Sequence, residues 1–262
     1  MRPLGGDQQS RRIDVLAVEE PLEIRLNSEP YLVTMRTPGH DIDLLFGLLH
    51  SEGVIAAAAD VETARYCSGA DPDGQNTYNV VDVRLGSAAN PPDPQRRRAV
   101  LTSSACGVCG TTTIDQVMRS SRYLLDDAAV PAQLLAAAPS LLRERQRTFD
   151  KTGGLHAAGL LGVDGSLACV REDVGRHNAV DKVIGWAIQE GMLPLRETIL
   201  VVSGRASYEL TQKAILAGIP VLAAVSAPSS LAVELADEAG LTLVGFIRGG
   251  TGNVYTHPFR VR

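Results

Sequence analysis

Aromatic side chains are scarce: one Trp, four Phe and six Tyr amount to 4% of 262 residues, so Val, Leu, Ile and Ala must fill the core. Cysteine is scarce as well. Four cysteines in a chain of this length do not make a disulfide framework, so a reducing, cytoplasmic setting is expected. Basic residues do not predominate. The 25 Lys and Arg face 30 Asp and Glu, and a formal net charge of -5 argues against a general nucleic-acid binder. A local basic pocket for a phosphate remains compatible with that charge. No run of about 18 uncharged apolar residues is present to cross a membrane. The polar start, Met1 to Arg12, lacks the apolar stretch of a secretory signal. No internal repeat is visible.

What is present is the composition of a globular protein, 45% hydrophobic and 21% charged, long enough for one large domain or two modest ones. Residues 1–11 read as a disordered tail. The alternation of Ile13, Val15 and Ala17, then of Leu22, Ile24 and Leu26, predicts strands, with a turn at Asn27–Pro30 and another strand over Tyr31–Met35. Thr37-Pro38-Gly39-His40 breaks this pattern, and Asp41 to Ser51 reads as a helix. Strands follow at Thr63–Cys67 and Tyr78–Leu85, joined through the turn Asp71-Pro72-Asp73-Gly74. Arg96-Arg97-Arg98 is a solvated loop flank. Val100–Ser103 reads as a strand, followed by helices over about Thr112–Leu125 and Pro131–Arg147. The rear half is more regular. Two strands, His156–Val163 and Leu167–Arg171, form a hairpin. Helices at Asn178–Glu190, Tyr208–Ala217 and Ser229–Ala239 then alternate with strands at Thr198–Val202, Val221–Val225 and Leu241–Ile247. That alternation predicts an α/β fold with a mostly parallel, doubly covered sheet. The natural division is a β-rich part over 12–111 and an α/β part over 112–262.

Four stretches carry chemistry. The first is Ser104-Ala105-Cys106-Gly107-Val108-Cys109-Gly110, a Cys-x-x-Cys pair among small residues just before a helix-forming run. Small neighbours leave the sulfurs uncovered, and backbone N–H groups at a helix start favour thiolate over thiol. A reachable thiolate is a nucleophile and a sulfur carrier. The same spacing also suits half of a zinc site or a buried, non-reactive pair. The second is Arg171-Glu172-Asp173-Val174-Gly175-Arg176-His177-Asn178, with Asp181 and Lys182 one turn on. It places seven ionisable side chains within twelve residues, where a strand ends and a helix begins. His177 and Asp181 are four apart and share a helix face, so the carboxylate is placed to orient the imidazole. The bland counterpart is a surface ion-pair network capping the helix. The third is Ser203-Gly204-Arg205-Ala206-Ser207, a small-residue loop with one arginine between an apolar strand and a helix N-terminus, a setting that cradles anions. Ser226-Ala227-Pro228-Ser229 and Arg248-Gly249-Gly250-Thr251-Gly252-Asn253 follow the next two strands. Together these loops would line the carboxyl edge of the sheet and hold a nucleotide-like or phosphate-bearing ligand. The fourth is His156, at the head of a strand after Gly153-Gly154. His40, His50 and His257 read as surface or structural residues, and Cys67 and Cys169 as inert thiols in strands.

These motifs, with Thr37-Pro38-Gly39, Phe46-Gly47-Leu48-Leu49-His50-Ser51-Glu52-Gly53, Gly154-Leu155-His156-Ala157-Ala158 and Gly245-Phe246-Ile247-Arg248-Gly249, resemble the formate dehydrogenase accessory sulfurtransferase family (FdhD/NarQ). The likeness runs in order from about Ile13 to His257. It implies a cytidine deaminase-like, three-layer α/β/α rear domain and a cytoplasmic sulfur carrier. Such a carrier accepts persulfide sulfur from a cysteine desulfurase. It passes that sulfur to the molybdenum cofactor, in its bis-guanine-dinucleotide form, before insertion into apo-formate dehydrogenase. On this likeness Cys106 bears the persulfide and Cys109 is its partner. Phe246, Ile247, Arg248, Gly249, Gly250 and Thr251 contact the GDP-like part of the cofactor. Ser203, Gly204, Arg205, His156, Arg176, His177, Asp181 and Lys182 complete the binding edge. Family members often carry a charged residue and an arginine where this chain has Gly250 and Thr251, so backbone donors would serve there. No tightly bound metal, no nucleic acid and no membrane are expected, and a homodimer is allowed. Two rivals differ in class. A zinc hydrolase of the deaminase type needs His-x-Glu and a later Pro-Cys-x-x-Cys, whereas His156 is followed by Ala157-Ala158 and the cysteines come first. A cofactor-binding chaperone would use the cysteines only to stabilise their loop.

Overall fold

The computed structural model describes residues 13–67, 78–91 and 114–262. β1 (Glu20–Leu26) and β2 (Glu29–Arg36) form a hairpin whose two turn residues, Asn27 and Ser28, are both left-handed, with φ of 52° and 69°. A right-twisted two-residue hairpin demands that conformation. α1 (Asp41–Ser51), β3 (Val61–Cys67) and β4 (Val80–Leu85) follow, and the four strands make a sheet in the order β2-β1-β4-β3. The strand expected over Ile13–Ala17 does not form. Pairing of β1 with β2 begins at Glu20 opposite Arg36, where β2 ends, so the alternating residues before it have no partner and Ile13 is fully exposed.

After α2 (Ile114–Ser120) comes α3 (Ala132–Arg143) and then a separate short helix, α4 (Arg147–Thr152). The single helix expected over Pro131–Arg147 is interrupted at Gln146, whose backbone is not helical. The Glu172 carboxylate accepts from the Thr148 and Phe149 amides at 2.9 and 2.7 Å. It satisfies the free N–H groups that a new helix start exposes.

The second sheet is built from β5 (His156–Gly162), β6 (Leu167–Asp173), β7 (Thr198–Val202), β8 (Val221–Ala224), β9 (Thr242–Arg248) and β10 (Thr251–Val254). Their order is β10-β9-β8-β7-β5-β6. Interleaved are α5 (Arg176–Gln189), α6 (Tyr208–Leu216) and α7 (Ser230–Glu238). The α/β class read from the sequence holds, with one correction. Neighbouring strands are parallel only across β7-β8-β9, and the pairs β7–β5, β5–β6 and β9–β10 are antiparallel. Short turns at both ends of the sheet force antiparallel neighbours, because a parallel connection needs a crossover. One face of this sheet, with Leu161, Val201 and Ala223, packs with Leu135, Ala138 and Leu142 of α3. The opposite face, with Leu160, Leu200 and Leu222, packs with α5, α6 and α7, giving three layers. The same cluster continues through α1 into Leu22, Ile24, Val81 and Val83 of the first sheet, so both parts of the chain contribute to one core. Among the described residues, no helix is long and apolar enough to cross a membrane.

α1 and α5 touch backbone to backbone. A Cβ at Gly47 of α1 would overlap the Asp181 carbonyl of α5, and a Cβ at Gly185 of α5 would overlap the Asp43 carbonyl of α1. Both neighbours are main-chain atoms that cannot swing aside. This contact fixes the height of α5 against the first sheet, and thereby where its N-terminus emerges. We expect Gly185→Ala to force the helices apart and destabilise the fold by about 3 kcal/mol, seen as a lower urea midpoint. A midpoint equal to that of the unsubstituted chain would show that the helices can separate freely.

Candidate functional site

The carboxyl ends of β7, β8 and β9 and the amino end of β5 lie along one edge of the second sheet. Beyond the strands the loops stay laddered together. Ser203 N donates to Ala157 O at 3.0 Å and Ala157 N to Ser203 Oγ at 2.9 Å. Ser226 N donates to Gly204 O at 3.3 Å, and Phe246 N to Ser226 O at 3.1 Å. A glycine helps make this possible, since a Cβ at Gly245 would come within 3.0 Å of Pro228 and 3.2 Å of Ser226 O. Ser203, Gly204 and Arg205 therefore lie on this edge, with His156 beside them at the start of β5. Ser203 is occupied with the ladder, and Arg205 is exposed.

His156 stands opposite Asp173 in the β5–β6 register. Its imidazole Nδ1 comes within 3.5 Å of a notional Cβ on Gly204, and Arg176 Cδ within 4.0 Å of the same point. Arg176 and His177 open α5 beside them. Across from these residues α6 begins, with Ser207 as its N-cap and Glu209 in its first turn. His177 Nε2 lies 3.8 Å from Glu209 Oε2. Two buried atoms here, Arg176 Nε and His177 Nε2, have no hydrogen-bond partner among the described residues. Burial, reinforced by the charges of Arg176 and Lys213, pushes the His177 imidazole down to about 4, so it is neutral at physiological pH. Burial and Arg176 also lower His156. Burial alone would raise the Glu209 carboxyl, but its own backbone N–H, a hydrogen bond from the Ser207 side chain and the nearby Arg176 guanidinium hold it below the usual carboxylate range.

Asp181 and Lys182 require correction. Asp181 does not orient His177. Its Oδ1 accepts from Lys213 Nζ of α6 at 2.7 Å, and burial pushes its carboxyl up to about 6 against that pairing. Lys182 is 1% exposed and bridges Asp173 at 2.7 Å and Thr37 O at 2.9 Å. One turn of α5 turns both residues inward, so neither lines the edge. The α5–α6 contact thus carries two acid–base rungs of opposite sense, His177 with Glu209 outside and Asp181 with Lys213 inside. Glu209 was missed in the sequence, whereas Ser207 is the last residue of the loop read there as leading into a helix. The signal was there, since Glu209 and Lys213 share the i, i+4 spacing of His177 and Asp181.

The segment 246–251 is also not a plain loop. It forms the tip of the β9–β10 hairpin, with Gly249 and Gly250 at φ of 59° and 81° as its two-residue turn. A register shift puts Phe246 in the left-handed region at φ 54° and turns its ring outward, 38% exposed. Ile247 is 1% exposed and belongs to the core, so of the expected contact residues its side chain is withdrawn. Phe246, Arg248 and Thr251 line an open depression of about 360 Å³ with Gly252 and Asn253. Three strand spacings, about 14 Å, separate β9 from β5, so this depression and the His156–His177 cluster sit along one line.

Cys106 and Cys109, the strand expected over Val100–Ser103, the arginine run at 96–98, the turn expected at 71–74 and residues 1–11 lie outside the described residues. Of the remaining cysteines, Cys169 is buried, which pushes its thiol up to about 12, and Cys67 is half-buried. His50 and His257 bond main-chain oxygens of Leu216 and Asp237, at 3.2 and 2.8 Å, as structural residues do. Among the described residues, no group of three or more His, Cys, Asp or Glu is placed to hold a metal ion.

Compared with known proteins, residues 17–262 match the profile of the FdhD/NarQ family. A sulfur carrier protein FdhD from Nocardia farcinica is 60% identical over 254 residues, covering 96% of this chain and 90% of its own length. The protein of the same description from Mycobacterium tuberculosis is 55% identical over 266 residues, covering 100% of this chain and 96% of its own. A crystal structure from Desulfotalea psychrophila, provisionally described as a formate dehydrogenase accessory protein, superposes with a TM-score of 0.72 at 24% identity. It covers 95% of this chain and 91% of that one, and it shows the same fold.

The buried neutral imidazole makes a prediction about acid stability. His177 is held below its ordinary value of 6.5, so its contribution is present above about pH 6.5 and is lost as pH falls toward about 4. Asp181 is held above its ordinary value, so its contribution has the opposite sign: it is present at low pH and lost as pH rises through about 6. The His177→Gln variant removes the first effect and keeps the second. Relative to the unsubstituted chain it should gain about 2 kcal/mol between about pH 7 and 5. Parallel pH dependences of Tm for the two proteins would show that His177 is not held neutral.

Proposed function

Because this chain belongs to the FdhD/NarQ family, we propose that it is a sulfur carrier, a sulfurtransferase serving the maturation of formate dehydrogenase. The relatives that match nearly its whole length are described as sulfur carrier proteins. The geometric observation that favours this reading is the single polar edge, where Arg176, Arg205 and Arg248 accompany neutral histidines along the carboxyl ends of the strands. An extended, phosphate-bearing molecule suits such an edge. In a chain of net charge -5 that local accumulation of arginine selects an anionic ligand.

The ligand we propose is the molybdenum cofactor in its bis-guanine-dinucleotide form, bound as a substrate. Phe246 presents an exposed ring for a guanine, and Arg248 and the backbone of the Gly249–Gly250 turn supply donors beside it. The sulfur chemistry is assigned to Cys106. Its thiolate attacks the terminal sulfur of a cysteine desulfurase persulfide, forming the Cys106 persulfide and releasing the desulfurase thiolate. Attack by the Cys109 thiolate on the inner sulfur of that persulfide forms a Cys106–Cys109 disulfide and releases the terminal sulfur as hydrosulfide to the bound cofactor. A cellular dithiol reductant restores both thiols. In this reading the apo-dehydrogenase is the final recipient and the compartment is the cytoplasm.

Intact-protein mass spectrometry after incubation with a cysteine desulfurase and cysteine tests the carrier role. The unsubstituted chain should gain one sulfur that a reductant removes, and Cys106→Ala should gain none while still binding a guanine nucleotide. If no sulfur arrives while the desulfurase turns over, the chain acts as a cofactor-binding chaperone. If Cys106→Ala loses nucleotide binding as well, the cysteine supports structure.

A further inference from the structure

We propose that the stretch just ahead of β1, Ile13 to Glu19, is a docking strand, and that its occupant is the same stretch of a second copy of this chain, laid antiparallel about a twofold axis at Leu16.

The stretch has the sequence of a strand and lacks a neighbour. It runs straight into β1, yet β2 ends at Arg36 opposite Glu20 and β4 joins β1 only from Glu23, so neither reaches it. Among the described residues, the hydrogen bond its main chain makes is local, from Val15 N to Asp14 Oδ1 at 3.1 Å. Strand groups left open in this way are a template for another strand. The side chains need the same cover. Ile13 is fully exposed, Leu16 is 76% exposed, and Val15 and Val18 are more than half exposed. The period of two puts Ile13, Val15 and Ala17 on one side and Leu16 and Val18 on the other. A strand that is apolar on both sides is one that is covered on both. Ala17 already has cover, since its Cβ lies 3.3 Å from a notional Cβ on Gly154, at the bend before β5. The stretch contains no Pro, Gly or Lys, so it carries none of the residues that blunt an open strand.

Charge selects the occupant and its direction. The stretch holds Asp14 and Glu19, and Glu20 follows. A parallel copy would set Asp14 against Asp14 and Glu19 against Glu19, and like charges directly opposite destabilise a strand pair. An antiparallel copy centred on Ala17 would set Asp14 against Glu20. Centred on Val15, it would set Leu16 against Asp14 and Val18 against Arg12. Centred on Leu16, it sets Leu16 against itself, Val15 against Ala17, Asp14 against Val18 and Ile13 against Glu19. Each acid of the stretch then faces an apolar residue, and Glu20 falls opposite Arg12 on both sides of the axis. A strand that its own reversed sequence complements is what an isologous interface requires. The same register brings Val15 of each copy beside Ala17 of the other, and so toward the Gly154 bend.

Sedimentation velocity on the full chain and on Leu16→Asp tests the pairing. The unsubstituted chain should run as a dimer, and Leu16→Asp should dissociate at least about a hundredfold more readily, because each copy gives up a buried leucine. Leu16 is exposed in the single chain, so this variant should keep its fold and an unchanged far-ultraviolet circular dichroism spectrum. Leu124→Asp, at a position 94% exposed, should leave the dimer intact. Crosslinking reads the register. With copper–phenanthroline as catalyst and oxygen as oxidant, Leu16→Cys should form a disulfide to its own copy. Asp14→Cys should not, because the two copies of that residue stand four positions apart, about 13 Å along the ribbon and beyond a disulfide's reach. The unsubstituted chain, with its four cysteines, sets the background. A monomeric chain would overturn the proposal and leave a different protein as the occupant. A dimer unmoved by Leu16→Asp, or one lost equally in Leu124→Asp, would overturn it in favour of another face. Crosslinking at Asp14→Cys and not at Leu16→Cys would overturn the register.

Discussion

The Asp173 carboxylate is the point at which the two sheets, helix α5 and the polar edge are tied together. It is fully buried and accepts four hydrogen bonds. Lys182 Nζ and the Thr37 amide reach one oxygen at 2.7 and 3.1 Å, and the Gly175 amide and Asn178 Nδ2 reach the other at 2.8 and 3.0 Å. Asn178 also donates to Met35 O, and Lys182 to Thr37 O, so the end of β2 is held to the start of α5. A buried ion pair is a poor source of net stability, since desolvation offsets the attraction. Its value here is specificity: every lone pair is used, and no neighbouring register offers the same four donors. The knot fixes where Arg176 and His177 begin, three and four residues after Asp173, and it fixes His156, which faces Asp173 across the β5–β6 pair.

From that fixed point the chemistry of the edge follows. α5 is buried along almost all of its length, and its backbone contact with α1 leaves no freedom to slide. Its first turn therefore presents Arg176 and His177 at a set place, opposite the first turn of α6, a helix whose last turn is bound to α5 by the Asp181–Lys213 pair. The site combines rigid placement with incomplete hydrogen bonding. Rigid placement holds donors ready without reorganisation, and incomplete bonding is what a ligand completes. The cofactor proposed above as substrate would need both, because its charge must be held while the reacting atoms are brought together.

Much of the chain was legible in advance. The helix over Asp41–Ser51 and the strand over Thr198–Val202 have the bounds that their apolar spacing predicts. In α1 and β7, local pattern and tertiary packing make the same demand. The misreadings fall where they do not. Ile13–Ala17 alternates like a strand but has no neighbour to pair with. The stretch 131–147 is helical in propensity throughout, yet Glu172, distant in sequence, captures the amides that start a second helix. Arg248–Asn253 has the composition of a loop and closes a hairpin, because glycines that suit a loop also suit a tight turn. In the site, residue types were legible and their directions were not. Asp181 and Lys182 look like ligands in a list of charges and are interior groups in three dimensions.

The sequence by itself determined the α/β class, the order of strands and helices from β5 to β9, the family motifs and the set of polar loops that must meet at one end of parallel neighbours. Those follow from periodicity and from the short reach of turns, which are local. Tertiary structure decided which charges are used up in the interior and which stay open at the edge. It paired Asp181 with Lys213 and Lys182 with Asp173, left His177 facing Glu209, and withdrew Ile247 while exposing Phe246. The physical reason is that burial and charge pairing depend on the whole neighbourhood of a side chain. That neighbourhood is assembled from helices and strands far apart in the chain, and spacing along one helix reports only half of each contact.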